Sequence, residues 1–335
     1  MPPGNTRRSE PDVDTIVGGI LGGDRLMLSR AITLIESQKP EHQQKAHEVL
    51  DRCLKHKTDS IRIGITGSPG AGKSTFIEAL GEIIIRSGLS LAVLAIDPSS
   101  RQTRGSILGD KARMEKLSGR KEAFIRPTAS SGHLGGLSPK THETIVLCEA
   151  AGYDVIIVET VGVGQSEVEV DTMVDFILLL MLPGSGDELQ GIKRGIMEIA
   201  DAIAITKSDG AQEGIAALSK TEFEAALRML PAKYPFWHRQ VFLTSALTEK
   251  GITEVWENIS DFIREIRNKG MFEEKRREQL KSLLYRVLEE MLKKEFFTHP
   301  EVTRLKEDVE HQVLSAELSP FSGAETLMKA FTRLR

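Results

Sequence analysis

Residues Gly67, Ser68, Pro69, Gly70, Ala71, Gly72, Lys73 and Ser74, followed by Thr75, spell a complete G-x-x-x-x-G-K-S-T loop directly after the apolar run Ile61–Thr66. Each fixed letter of that pattern has a use in holding a polyphosphate. The glycines let backbone N–H groups converge on phosphate oxygens, Lys73 can reach the β- and γ-phosphates, and the Ser74 hydroxyl can ligate Mg²⁺. The flanks fit as well. A short β-branched run feeds the loop and a helix-forming stretch, Thr75–Arg86, leaves it, so the first N–H groups of a helix face the anion. The implied ligand is a nucleoside triphosphate.

Two acidic positions follow other apolar runs. Leu91–Ile96 ends in Asp97-Pro98-Ser99-Ser100. Asp-Pro is a common turn starter, but an Asp at this tip can also face the Mg²⁺ shell or orient an attacking water. Asp154–Glu159 leads into Thr160-Val161-Gly162, an E-x-x-G element. There Glu159 can hold a metal-bound water, and Gly162 can offer its N–H to the γ-phosphate and move when that phosphate leaves. The expected catalytic set is Lys73, Asp97, Glu159 and Gly162; the expected Mg²⁺ set is Ser74, Asp97, Asp110 and Glu159. Val163 stands after the switch glycine, where Ras-like switches carry a water-positioning Gln, and Gln165 comes two residues further on. Slow intrinsic hydrolysis, helped by another segment or a partner, is the expectation.

The run Ala202–Thr206 ends in Thr206-Lys207-Ser208-Asp209, and Val241–Thr244 precedes Ser245-Ala246-Leu247. The Asp209 carboxylate can accept from guanine N1–H and the exocyclic amine, whereas adenine presents an acceptor at N1. The stem of Lys207 can cover the base, and the Ser245–Leu247 backbone can contact its carbonyl. GTP is therefore expected over ATP. Three Gly- and Ser-rich loops lie between these elements. Arg101–Asp110 suits a first switch, where Arg104 or Lys111 can meet phosphate; Ser130–Leu137 is a second loop; Pro183–Gly195 carries Asp187, Gln190 and Lys193. Nucleotide-dependent movement is expected in at least one of them.

The elements that must position these residues are short, nearly continuous apolar runs alternating with amphipathic helical patterns: Ile61–Thr66, Leu91–Ile96, Asp154–Glu159, Phe176–Leu182, Ala202–Thr206 and Val241–Thr244. Such runs suit parallel strands buried on both faces. The fold class is therefore α/β, a doubly wound, mostly parallel sheet with ligands at the carboxyl ends of its strands. Helical periodicity from Asp14 to about Lys57, broken at Pro40, predicts an N-terminal extension. Phe272–Phe297 reads as one long helix with an apolar stripe of Leu280, Leu283, Leu284, Val287, Leu288, Met291 and Leu292, and Pro300 and Pro320 punctuate two more helices. The expected divisions are 1–60, 61–268 and 269–335, with the last region packing on its own domain or, more sharply, forming a homodimer seam.

The 335 residues are 40% hydrophobic and 27% charged with a net charge of −4, which gives no reason to expect nucleic acid or an anionic membrane as partner. Lys275-Arg276-Arg277 is interleaved with glutamates and reads as a solvated helix face. The two cysteines, Cys53 and Cys148, fit structural thiols in a reducing compartment. The polar, partly acidic start of the chain and the absence of a spanning apolar stretch predict a cytoplasmic protein. His133, His142 and the other histidines form no cluster in sequence.

The strings "GSPGAGKST", "LAIDPSS", "GSILGDKARM", "SSGHLGG", "LCEAAGYDVIIVETVGVGQSE" and "LPGSGDELQGIKRGIMEIAD", with "GGILGGDRLMLSRAITLIES" near the start, resemble the MeaB/ArgK family of GTPases, which includes the protein mutated in one form of methylmalonic aciduria. The resemblance runs over most of the chain. It implies a homodimeric G protein of the class that includes signal-recognition and metal-insertion GTPases, binding GTP and GDP with Mg²⁺. It also implies a client, adenosylcobalamin-dependent methylmalonyl-CoA mutase or a relative, whose cofactor loading and removal the GTPase gates. By the same resemblance Asp187, Gln190 and Lys193 belong to a third switch and the C-terminal arm dimerises. The chain departs from the family where Thr206 replaces the usual Asn, where Arg104-Gly105 replaces a double glycine, and where His142 replaces Arg. Weaker bracing of the base loop is the expectation at Thr206. A metal-insertion GTPase, an ATP-dependent kinase and a scaffold with negligible turnover are the competing readings.

Overall fold

The computed structural model describes residues 11–56, 59–97, 114–129, 139–160, 169–185 and 194–332. In chain order the elements are α1 (Val13–Leu21), α2 (Arg25–Glu36), α3 (Pro40–Cys53), β1 (Ile61–Gly67), α4 (Lys73–Arg86), β2 (Leu91–Asp97), α5 (Glu115–Ser118), β3 (Ala123–Ala129), α6 (Pro139–Ala150), β4 (Val155–Glu159), β5 (Phe176–Met181), α7 (Arg194–Ile199), β6 (Ala202–Ile205), α8 (Glu213–Met229), β7 (Gln240–Leu243), α9 (Ile252–Asn268), α10 (Met271–Thr298), α11 (Pro300–Leu314) and α12 (Pro320–Thr332). Two compact units result, Met1–Arg276 and Arg277–Arg335.

The first unit is built on a seven-stranded sheet in the order β3-β2-β4-β1-β5-β6-β7, parallel at every pairing. The apolar runs become strands because both faces are covered, so no polar alternation is needed. One face carries α4 and α9, with Phe76, Ile77, Leu80, Ile259 and Phe262 against Ile63, Ile65, Val93 and Phe176. The other carries α1–α3 with α6, α7 and α8; Ile16, Ile32, Val49 and Cys53 join Ile145, Val158 and Ile203 in one cluster. The N-terminal helices are thus part of the sheet's core. The caps follow from sequence: Asp12 and Asp24 side chains accept the first N–H groups of α1 and α2, and Pro40 opens α3.

Six strands coincide with the apolar runs, and β3 is one that the sequence reading passed over. It is an edge strand containing Pro127, and a proline that removes a ladder donor is tolerated only at an edge or bulge. The reading of Lys275-Arg276-Arg277 as a solvated face is corrected at its first two residues. Lys275 donates to Asp171 and to the Asp175 carbonyl. Arg276 forks onto Asp175 at 2.6 Å through both Nε and Nη2, and also bonds Glu149 at 2.8 Å and the Ser60 carbonyl at 3.0 Å. Both side chains are only about one-sixth exposed, because three acidic groups from other elements meet them at the amino edge of the sheet. Helical spacing alone carries no information about those distant partners.

Cys53 and Cys148 are buried free thiols, and burial raises the pKa of both, Cys53 to about 11. In the second unit α11 and α12 pack together, Val309 and Val313 lying close to Gly323. Leu280, Leu284, Leu288, Met291 and Leu292 on α10 are exposed in the single chain. Among the described residues no helix is long and apolar enough to cross a membrane.

Candidate functional site

The loop 67–72 leaves the carboxyl end of β1 and enters α4 without an intervening residue. Its conformation needs glycine at two points. A Cβ on Gly67 would collide with the Leu180 carbonyl oxygen of β5, and Gly72 sits at φ 75° as the residue that opens α4. Ala71 is buried beneath the loop. The Lys73 ammonium folds back over this cradle, donating to the Gly67 carbonyl at 2.8 Å and to the Ser68 carbonyl at 3.3 Å. It therefore stands where an entering phosphate chain would meet it. Thr75 is exposed one residue further along the first turn of α4.

The acid of β4 is joined to this loop directly. The Ser74 hydroxyl donates to Glu159 at 3.1 Å, across 85 residues of sequence. A hydroxyl and a carboxylate converging at a phosphate cradle form a hard oxygen donor set, which suits Mg²⁺. Asp97 ends β2 in register with Ala129, but its side chain lies outside the described residues. Gly162, Asp110, Asp187, Gln190 and Lys193 also lie outside them, as do the loops 101–110 and 130–137 and most of 183–195.

The base-side loops meet the phosphate loop from the other direction. The Thr206 hydroxyl donates to the Ala71 carbonyl at 2.8 Å, with the Met181 carbonyl at 3.2 Å, so a brace between the two loops exists with threonine in place of asparagine. One hydroxyl proton makes that brace, where an amide would offer two donors and an acceptor. Lys207 holds a left-handed backbone, φ 53°, unusual for a residue other than glycine, and its Nζ donates to the Gly70 carbonyl at 2.9 Å. Its stem lies against Gly72. Asp209 stands half-buried at the start of the turn Gly210–Gln212, and its side chain makes no capping bond to that turn. The Ser208 N–H donates to the Thr244 carbonyl at 2.9 Å, tying this loop to the next. There the Ser245 N–H is committed to the Lys250 carbonyl at 2.9 Å, the Ser245 hydroxyl accepts from Thr248 N–H at 3.3 Å, Ala246 is half-buried, and Leu247 is exposed.

A phosphate loop hydrogen-bonded to both an acid on β4 and a T-K-x-D loop after β6 is the layout of a P-loop GTPase. Comparison with known proteins agrees: the model of the family described as Methylmalonyl Co-A mutase-associated GTPase MeaB matches residues 28–301. The chain belongs to the MeaB family. It is 46% identical to GTPase ArgK of Escherichia coli K12, over 91% of this chain and 92% of that one. It is 44% identical to the mitochondrial methylmalonic aciduria type A homolog of Mus musculus, over 95% of this chain and 79% of that one. The crystal structure of an LAO/AO transport system kinase, 38% identical, superimposes with a TM-score of 0.77 and covers 95% of this chain and 96% of its own.

This MeaB-family chain is therefore a GTPase that binds guanine nucleotide. Within its site, the contacts that sequence reasoning missed are those made by side chains onto backbone carbonyls of the loop. The bonds from Lys207 to Gly70 and from Thr206 to Ala71 span more than 130 residues. A paired T-K-x-D and G-x-x-x-x-G-K-S signals that both exist, but not that they touch.

Proposed function

We propose that this chain is a GTP-hydrolysing chaperone for methylmalonyl-CoA mutase or a related adenosylcobalamin-dependent mutase, gating the loading and removal of the cofactor. The observation that carries the reading is the triple contact at the phosphate loop, Ser74 with Glu159, Thr206 with Ala71 and Lys207 with Gly70. Through it, nucleotide bound in the cradle bears simultaneously on β4 and on the base-side loop. Membership of a family described as mutase-associated supports the choice of client.

In this reading Lys73 and the amino end of α4 hold the β- and γ-phosphates, and Asp209 accepts the guanine N–H groups. A backbone contact to the guanine carbonyl falls to Ala246 and Leu247, since the Ser245 N–H bonds Lys250. Ser74 and Glu159, with Asp97 and Asp110, would hold Mg²⁺, which supplies charge neutralisation for the transferred phosphoryl group. Glu159 orients water near the γ-phosphate, and Gly162 with Asp187, Gln190 and Lys193 respond to its departure. Turnover is slow alone and faster with the mutase. The chain works in the cytoplasm as a homodimer joined through 269–335, a choice supported by the exposed apolar stripe of α10.

Size-exclusion chromatography of the chain mixed with purified mutase tests the partnership. Co-elution that differs between a non-hydrolysable GTP analogue and GDP is expected. Separate elution in every nucleotide state would contradict it.

A further inference from the structure

The carboxyl edges of β1 and β4 carry two hydroxyls that the site described above leaves unused. The strands run parallel with Ile65 opposite Glu159, and the Thr160 N–H donates to the Ile65 carbonyl at 3.0 Å. The next residue on each strand is a threonine, Thr66 and Thr160, so the two stand side by side at a neighbouring-strand spacing of about 5 Å. Alternation puts both on one face. Gly64 faces Val170 and Val174, and Thr66 lies two residues on; Ile156 and Val158 belong to that same layer, and Thr160 continues it. Glu159 points to the opposite face, where it meets Ser74. Thr66 and Thr160 are 0% and 1% exposed, and neither Oγ1 has a hydrogen-bond partner among the described residues.

A buried hydroxyl without a partner destabilises the fold, because its lost hydration is not replaced. Valine has nearly the same shape and would fill either position without that cost. Two such hydroxyls, adjacent and directly behind the reacting groups, together offer two donors and four lone pairs, enough to hold a water molecule between them. We propose that Thr66 and Thr160 are positioning residues for GTP hydrolysis, jointly holding one internal water that fixes the end of β4 against the end of β1. Glu159 is the last residue of β4, and Gly67 the last of β1, so this contact sets the carboxylate against the phosphate cradle. Neither threonine touches the nucleotide. The inference concerns hydrolysis by the chain alone and stands apart from the mutase reading.

Full-length Thr66→Val, Thr160→Val, the double variant, and Thr66→Ser and Thr160→Ser test it, using steady-state GTP hydrolysis and fluorescent guanine-nucleotide titration. A misplacement of the acid by less than 1 Å predicts a kcat lower by roughly tenfold or more in the valine variants, with GTP and GDP affinity kept within about twofold. The serine variants retain wild-type kcat, and the double variant falls no further than the lower single one, because one water is shared. Thr→Ala at the same positions replaces any valine variant that fails to fold and carries the same expectation. A double variant with wild-type kcat would overturn the proposal, as would a raised thermal midpoint with kcat unchanged. So would kcat and affinity falling in step without rescue by serine.

Discussion

Lys73 shows how a single side chain can serve both the loop's own carbonyls and a phosphate chain. Its ammonium satisfies the Gly67 and Ser68 carbonyls, contacts that it can exchange for phosphate oxygens without leaving the cradle. Lys73→Ala should therefore lower kcat for GTP by about 100-fold or more, measured by phosphate release; near-normal hydrolysis in that variant would remove the loop from the chemistry. Thr206 argues the same point for the base side. Its hydroxyl is the donor that braces Ala71, so Thr206→Val should weaken GTP binding by about tenfold, the worth of one hydrogen bond with its acceptor left buried. A titration showing unchanged affinity would mean that the Lys207–Gly70 contact holds the two loops together alone. The residue types at these positions were readable in sequence because phosphate and guanine chemistry dictate them. The contacts between them were not, since they depend on the separation of loops at the ends of β1 and β6.

At the scale of elements, the parallel strands were legible because burial on both faces leaves near-continuous apolar runs such as Phe176–Met181. β3 was hidden by Pro127, and the first turns of α10 were misread because their partners come from α6 and from the segments before β1 and β5. There Arg62 grips Glu149 in a fork, at 2.7 and 2.8 Å, and Arg276 joins both Glu149 and Asp175. Lys233 donates to Asp171 at 3.0 Å and to Asp201 at 3.3 Å. Burial alone would raise the pKa of Glu149, but the Arg62 and Arg276 guanidiniums outweigh it and hold the carboxyl at about 2, against an ordinary 4.5. A lowered carboxyl pKa stabilises the fold fully above the unfolded value, and that stabilisation disappears as pH falls through the folded one. The chain should thus lose stability between about pH 4.5 and pH 2, followed by urea unfolding at stepped pH. Glu149→Gln should cost about 3–5 kcal/mol at pH 7, because it leaves the buried Arg62 guanidinium without its carboxylate and Arg276 with Asp175 as its remaining acid, and should flatten that acid dependence. A variant as stable as the parent at pH 7 would show that the network contributes only packing.

For the molecule as a whole, the nucleotide site lies at the carboxyl edge of the sheet and the charged network at its amino edge, where α10 begins. The unit Arg277–Arg335 then presents Leu284, 64% exposed, among the other apolar residues of its first helix. In the proposed homodimer a second copy of the chain covers this stripe. Leu284→Glu combined with Leu288→Glu should leave the first unit folded and yield a monomer by light scattering; a persisting dimer would place the seam elsewhere. The proposed function couples guanine-selective hydrolysis in this site to a mutase. Its most direct test is the rate of GTP hydrolysis, with ATP as control, in the presence and absence of purified methylmalonyl-CoA mutase. Hydrolysis of GTP and not ATP, accelerated by the mutase, is the expected result. Hydrolysis of ATP at a comparable rate, or a GTP rate indifferent to the mutase, would contradict it.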